Sequence, residues 1–258
     1  MRERNGLVRR ALGLCVIVAL AAGLASAAET KIDFIGAGLN YESLSRTVVW
    51  TGDTSPSKIR ANLISARADF GLGKGAVVSF SAGLSLAHYK ALVFDALPIS
   101  LQFDGTTISG LFLGAEAAVP IMKFSDFELG GTGRFLYSLG VSKMWPIEDF
   151  AVEGEARGKA GWMEAAVGPR LSYFFFGRVV PYAELSLRWL RADFKMTETL
   201  ADLNGTELKL VRGDLAFCAA LGADAAVTDR ISVKAKAGIM PYAGGVDGLF
   251  SIGILYKF

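Results

Sequence analysis

Histidine, cysteine and paired carboxylates are where a chain of this size would do chemistry, and this sequence offers few of them. There is one histidine, His88, and two cysteines, Cys15 and Cys218. The neighbours of His88, Ala87 and Tyr89, bring no carboxylate. A general base held by an orienting acid would therefore need Asp95 or Asp104 to approach through space. With Cys15 in an N-terminal leader, one His and one Cys are too few for a zinc centre. Two glycine clusters also fail as phosphate cradles. After Gly36-Ala37-Gly38 the third glycine of a dinucleotide turn is replaced by Tyr41 and no helix follows. Gly71-Leu72-Gly73-Lys74-Gly75 has the wrong spacing for a phosphate loop and reads as a hairpin turn. No catalytic residue, metal site or cofactor is assigned.

The elements that would position such residues begin after residue 27. Arg2, Arg4, Arg9 and Arg10 precede an uncharged stretch from Ala11 to Leu24, and Ala25-Ser26-Ala27 follows. A basic start, a short apolar middle and an A-x-A end predict a secretory signal peptide over 1–27, cleaved after Ala27. The apolar stretch is shorter than the ~20 residues of a spanning helix. Cys15 follows bulky Leu14, which argues against lipidation. The remaining segment, 28–258, carries 23 basic and 24 acidic residues, so no electrostatic case for nucleic acid exists. With Cys218 alone it forms no internal disulfide.

Mean hydropathy is high at +0.39, yet charged residues make up 20% of the chain. The longest uncharged run after the leader is Gly75 to Tyr89, 15 residues, too short for a membrane helix. Apolar residues instead alternate with polar or small ones, the period of a strand with one apolar face. Phe250, Ile252, Ile254, Tyr256 and Phe258 oppose Leu249, Ser251, Gly253, Leu255 and Lys257. Ala183, Leu185, Leu187 and Trp189 oppose Tyr182, Glu184, Ser186 and Arg188. Strands are expected near 30–41, 58–70, 75–88, 106–119, 126–139, 158–173, 181–194, 206–224, 230–240 and 247–258. Long links (42–57, 89–105, 140–157, 195–205) alternate with short ones (71–74, 120–125, 174–180, 225–229), and only 241–246 breaks the contrast. Phe70, Phe124, Phe127, Tyr173, Phe175, Tyr182, Tyr256 and Phe258 map to one end of the strands; Trp189, Phe194, Tyr242 and Phe250 map toward the other.

These features predict an all-β fold: a transmembrane antiparallel up-and-down β-barrel of about ten strands, with eight or twelve as alternatives. Aromatic belts and alternating loop lengths distinguish it from a soluble sandwich. Every apolar row would face hydrocarbon and every polar row would be enclosed. The enclosed network would comprise Arg67, Asp69, Glu116, Glu128, Arg134, Glu164, Arg170, Glu184, Arg188, Asp214, Lys234 and Lys236, joined by Asp224 and Lys257. Both signs are equally represented, so pairing would plug the lumen, and no single-sign ring points to ion selection.

The last eight residues resemble the C-terminal β-signal of bacterial outer-membrane β-barrel proteins. Ser251, Gly253, Tyr256 and Phe258 match that pattern, with Phe258 ending the chain. The resemblance implies recognition by the barrel assembly machinery and residence in the outer membrane of a Gram-negative-type bacterium. Omptin proteases are similar in strand number and use an Asp–His pair with further carboxylates; no such pair is legible around His88. The H-x-S spacing of lipid A deacylases is also missing, since Tyr89 and Lys90 follow His88. The expected function is a non-enzymatic outer-membrane barrel whose external loops serve surface interaction or envelope integrity. Its partners would be outer-membrane lipid and an extracellular ligand that the sequence does not name. An outer-membrane enzyme using His88 on lipid or peptide, and a narrow diffusion channel, are the alternatives. The apolar link 89–105 suits either an interaction patch or strands that project beyond the bilayer; the link 140–157 carries Trp145-Pro146 and the acids Glu148, Asp149, Glu153 and Glu155.

Overall fold

A computed structural model describes residues 32–147 and 154–258, so the expected leader and Glu148, Asp149 and Glu153 lie outside the described residues. The strands are β1 (Asp33–Val48), β2 (Ser57–Gly71), β3 (Val77–Phe94), β4 (Leu101–Phe124), β5 (Phe127–Gly140), β6 (Lys143–Ile147), β7 (Gly154–Tyr173), β8 (Val179–Leu200), β9 (Leu203–Ala226), β10 (Ile231–Tyr242) and β11 (Gly245–Lys257). Each pairs antiparallel with its sequence neighbours, except that β5 pairs with β7 and the short β6 pairs with β7 beyond the end of β5. β1 closes on β11 from Gly36 opposite Lys257 to Leu44 opposite Leu249. Ten strands thus form a closed ring with no free edge, which hydrocarbon demands because it offers the backbone no hydrogen bonds.

The ends of β1 and β11 meet at one rim, here the near rim. Its lipid-facing side carries an aromatic girdle. Phe34 contacts Phe70 and Phe258 at ring distances of 5.4 and 5.2 Å, and Tyr256 stands 5.1 Å from Phe258. Phe127 joins Phe124 at 5.7 Å and Tyr173 at 4.7 Å. Tyr182 does not belong to it: its side chain turns into the lumen, where Arg170 lies 3.5 Å from its ring centre. Its sequence parity with Glu184 and Arg188 dictates this.

The far side departs from expectation. Segments read as links are largely strand. The link 195–205 shrinks to a turn at 201–202 between β8 and β9, of 22 and 24 residues, and 241–246 shrinks to Ala243-Gly244. About 9–11 residues cross a bilayer, so β8 and β9 project far beyond it. Above the bilayer level the two faces exchange character. In β8, Leu185, Leu187 and Trp189 face out below, while Arg191, Asp193 and Lys195 face out above; Leu190, Ala192, Phe194 and Met196 turn inward and are buried. The expectation that apolar rows always face hydrocarbon holds only for the membrane-spanning half. Beyond it the barrel meets water outside and must fill its inside with apolar groups.

Two bulges help set this exchange. In β9 the ladder slips between Leu190 and Arg191, at Gly213 with φ +79°. Any β-carbon there would lie 2.4 Å from the Trp189 ring nitrogen. Below Gly213 the even-numbered Asp214 and Cys218 point inward; above it the odd-numbered Lys209 and Val211 do. In β3, Ala91 at φ +57° lies within a similar slip. It passes the inward face from Ala87 and Tyr89 to Leu92 and Phe94.

Candidate functional site

Charged side chains converge in the interior, and it is layered. In the membrane-spanning half, the inward parity of β2 to β4 places Arg67 against Asp69 at 2.7 Å and Glu116 at 3.1 Å. Arg67 also donates to the Ser79 hydroxyl at 2.8 Å. Lys234 of β10 reaches Asp69 at 3.0 Å, so Asp69 ties β2 across the lumen to a strand three places around the ring. Arg170 pairs with Asp224 at 2.8 Å and Lys236 with Glu184 at 3.5 Å. Deeper in, Arg134 donates to Glu42 at 2.5 Å, Arg188 to Glu164 and Arg46 to Asp214. Glu164 and Arg188 are fully enclosed, and the Cys218 thiol lies 4.0 Å from Arg188. The space left between Arg67, Glu116, Arg134, Tyr182, Lys234 and Lys236 is about 70 Å³, room for a few water molecules.

Of the twelve expected lumen residues, eleven form ion pairs. Glu128 instead lines a cavity of about 210 Å³ at the near-rim mouth. Glu42 and Arg46 complete the layer and escaped the sequence reading. Their signal was present, since even-numbered residues of β1 keep pointing inward past Asn40. Asn40 itself faces Gly253 of the expected assembly signal; a β-carbon on Gly253 would lie 2.8 Å from the Asn40 Oδ1. Ser251 shares the inward face, while Tyr256 and Phe258 stand in the aromatic girdle.

Above the charges lies an apolar layer. Trp50, Leu63, Tyr89, Leu92, Phe94, Leu97, Ile108, Phe194 and Met196 are buried together. The Phe194 ring packs 5.0 Å from Tyr89 and 5.2 Å from Phe94. This resolves the apolar link 89–105: Leu92, Phe94 and Leu97 fill the barrel's far end and are not displayed. Each such fully buried side chain contributes about 1.5–3 kcal/mol. Phe194, expected in an aromatic belt, belongs to this plug.

Charged groups fasten the far-end loops onto the β8–β9 hairpin. Lys209 binds Asp53 at 2.7 Å, Glu207 at 3.0 Å and Asp95 at 3.6 Å. Glu207 accepts the Ala96 amide at 2.9 Å and Glu198 the Ile99 amide at 3.2 Å. Burial works against the Lys209 ammonium, but its hydrogen bonds to Asp53 and Glu207 outweigh this and hold its pKa above the ordinary lysine range. A raised cation pKa stabilises the fold fully below the unfolded value near 10.4, and this stabilisation fades only as pH climbs through the higher folded value. Proteolysis of the 49–56 and 95–100 loops should therefore stay flat between about pH 7 and 9. Lys209→Met should loosen these loops by about 2 kcal/mol, the worth of hydrogen bonds to charged groups. The same protease assay checks both, and wild-type resistance in the variant would refute the latch.

His88 is not in the lumen. The inward residues of this stretch are Ala87 and Tyr89, and His88 lies on the outer wall between Arg60 and Thr107 of the adjacent strands. Among the described residues it has no carboxylate partner, and no group of three or more His, Cys, Asp or Glu side chains is placed to hold a metal ion. Trp145 packs over Gly158, and Glu155 pairs with Arg157 at 3.2 Å.

No family model matches the chain, and no curated protein does. Its structural neighbours are small bacterial outer-membrane β-barrels. The outer membrane protease OmpT of Escherichia coli aligns with 88% of this chain and 96% of its own, at 10% identity and a TM-score of 0.51. The translocator domain of the autotransporter NalP from Neisseria meningitidis aligns with 97% of this chain and 98% of its own, at 11% identity and a TM-score of 0.50. Identity this low speaks for the fold alone: a closed antiparallel β-barrel of ten strands, of the outer-membrane type.

Proposed function

We propose that this chain is a non-enzymatic barrel of the Gram-negative-type outer membrane, with its near rim in the periplasm and its far rim outside the cell. Its lumen is closed, and its role is exercised at its surfaces, in contact with lipid and the exterior, as a support of envelope integrity. The leader over 1–27 and the terminal signal Ser251, Gly253, Tyr256 and Phe258 would bring it there through export and the barrel assembly machinery. The observation that carries the reading is the stack of a charge-paired layer beneath an apolar one. The outward placement of His88 lends nothing to the surface-enzyme alternative. Purified protein in planar bilayers should show no steady large conductance; stable large steps from the unaltered chain would overturn the closed-lumen reading.

A further inference from the structure

Charge placement on the outer wall follows a different rule from that of the lumen. Inside, the ladders set opposite charges beside each other: Glu116 faces Arg134, Arg170 faces Glu184, and Lys234 faces Asp224. On the wall just above the bilayer level two ladders set lysine against lysine. Lys58 stands opposite Lys90, with Arg60 opposite His88 one pair below. Lys159 stands opposite Lys195 on the β7–β8 face. Directly opposed like charges destabilise a strand pair, so an isolated barrel would gain by neutralising them.

The β2–β3 cluster sits at a defined height. The residues between its members, Ile59 and Tyr89, are buried inward, so Lys58, Arg60, His88 and Lys90 share the outer face. Lower on that face, Ile64 and Leu84 are 51% and 56% exposed and meet hydrocarbon. Cations directly above an apolar lipid-facing strip match the head and tail of an anionic lipid. Asp247 reaches Lys58 at 3.0 Å, and the ladder sets Asp104 beside Lys90. Among the described residues no carboxylate contacts Arg60.

We propose that Lys58, Arg60 and Lys90 form a binding site for the phosphorylated headgroup of an outer-leaflet lipid, whose chains lie along Ile64 and Leu84. This rests on the membrane placement above. A headgroup phosphate placed between the two strands removes the like-charge cost and anchors the barrel at a fixed height.

The test titrates the full chain in detergent micelles with phosphatidic acid and, separately, with phosphatidylcholine of the same chains, counting bound lipid by native mass spectrometry. Wild type should prefer phosphatidic acid. At about 1 kcal/mol per basic residue near a lipid surface, Arg60→Gln should weaken that binding about fivefold. The K58Q/R60Q/K90Q variant should abolish the preference, and the charge-conserving K58R/K90R variant should retain it. If the triple variant does not refold, Arg60→Gln alone decides. Equal binding of the two lipids, or a Gln variant that binds like wild type, would overturn the site. Displacement of the lipid by inorganic phosphate at the same concentration would reject a lipid in favour of a free anion. Failure of the unaltered chain to insert into phosphatidylcholine vesicles would instead reject the membrane placement.

Discussion

Arg188→Ala lowers the stability of the barrel by about 3–5 kcal/mol, the cost of leaving a buried charge without its partner. Glu164 and Arg188 are each enclosed by the wall and by neighbouring side chains. Water cannot reach Glu164 to compensate once the guanidinium is gone. One Glu164 oxygen already has no hydrogen-bond partner among the described residues. The expected observation is a markedly lower temperature for the heat-modifiable shift in gel mobility. The control is the double variant E164L/R188M. Removing both charges also removes both desolvation costs, and such replacements are often neutral or stabilising. If Arg188→Ala melts with wild type, or if the double variant is as unstable as the single one, the pair is not the buried interaction the geometry describes.

Phe194→Ala is expected to cost a similar amount, about 3–5 kcal/mol, by a different route. Its ring is fully buried between Tyr89 and Phe94, and truncation leaves a cavity that a closed ring of strands cannot collapse to fill. Phe217, on the same hairpin but 52% exposed on the lipid face, is the comparison. Lipid chains flow into the space left by Phe217→Ala, so that variant should unfold close to wild type in urea titrations of vesicle-bound protein. Equal losses at both positions would show that Phe194 does not sit in a packed interior.

What was legible in the sequence follows from where alternation keeps one meaning. β11 reads correctly because Phe250, Ile252, Ile254 and Tyr256 all face lipid and no bulge interrupts their alternation. Ten strands and a charged interior emerge for the same reason. The projecting halves were misread because a strand was recognised by its apolar lipid-facing row. In β1 that row ends at Tyr41, and Ser43, Ser45 and Thr47 take its place. The strand therefore seemed to end there, and Glu42 and Arg46 were lost with it. Gly213 and Ala91 add a shift of phase that no period-two count detects. Tyr182 and Phe194 were placed at the right ends of their strands but counted with the aromatic belts; for Tyr182 its parity with Glu184 and Arg188, already read from the alternation, was the signal that should have prevailed over aromatic character.

The stacking of unlike layers bears on what the envelope lets through. A hydrated ion can enter from the near-rim mouth beside Glu128 and exchange its shell for the fixed charges of Arg67 and Asp69, but ahead of it stand Phe94, Phe194 and Met196, which give it nothing in return. An oily solute meets the reverse order of welcome and is turned back at the guanidinium groups. If the lumen is closed as proposed, charged and oily solutes are refused by different floors of the same shaft, and no moving gate is required to refuse them.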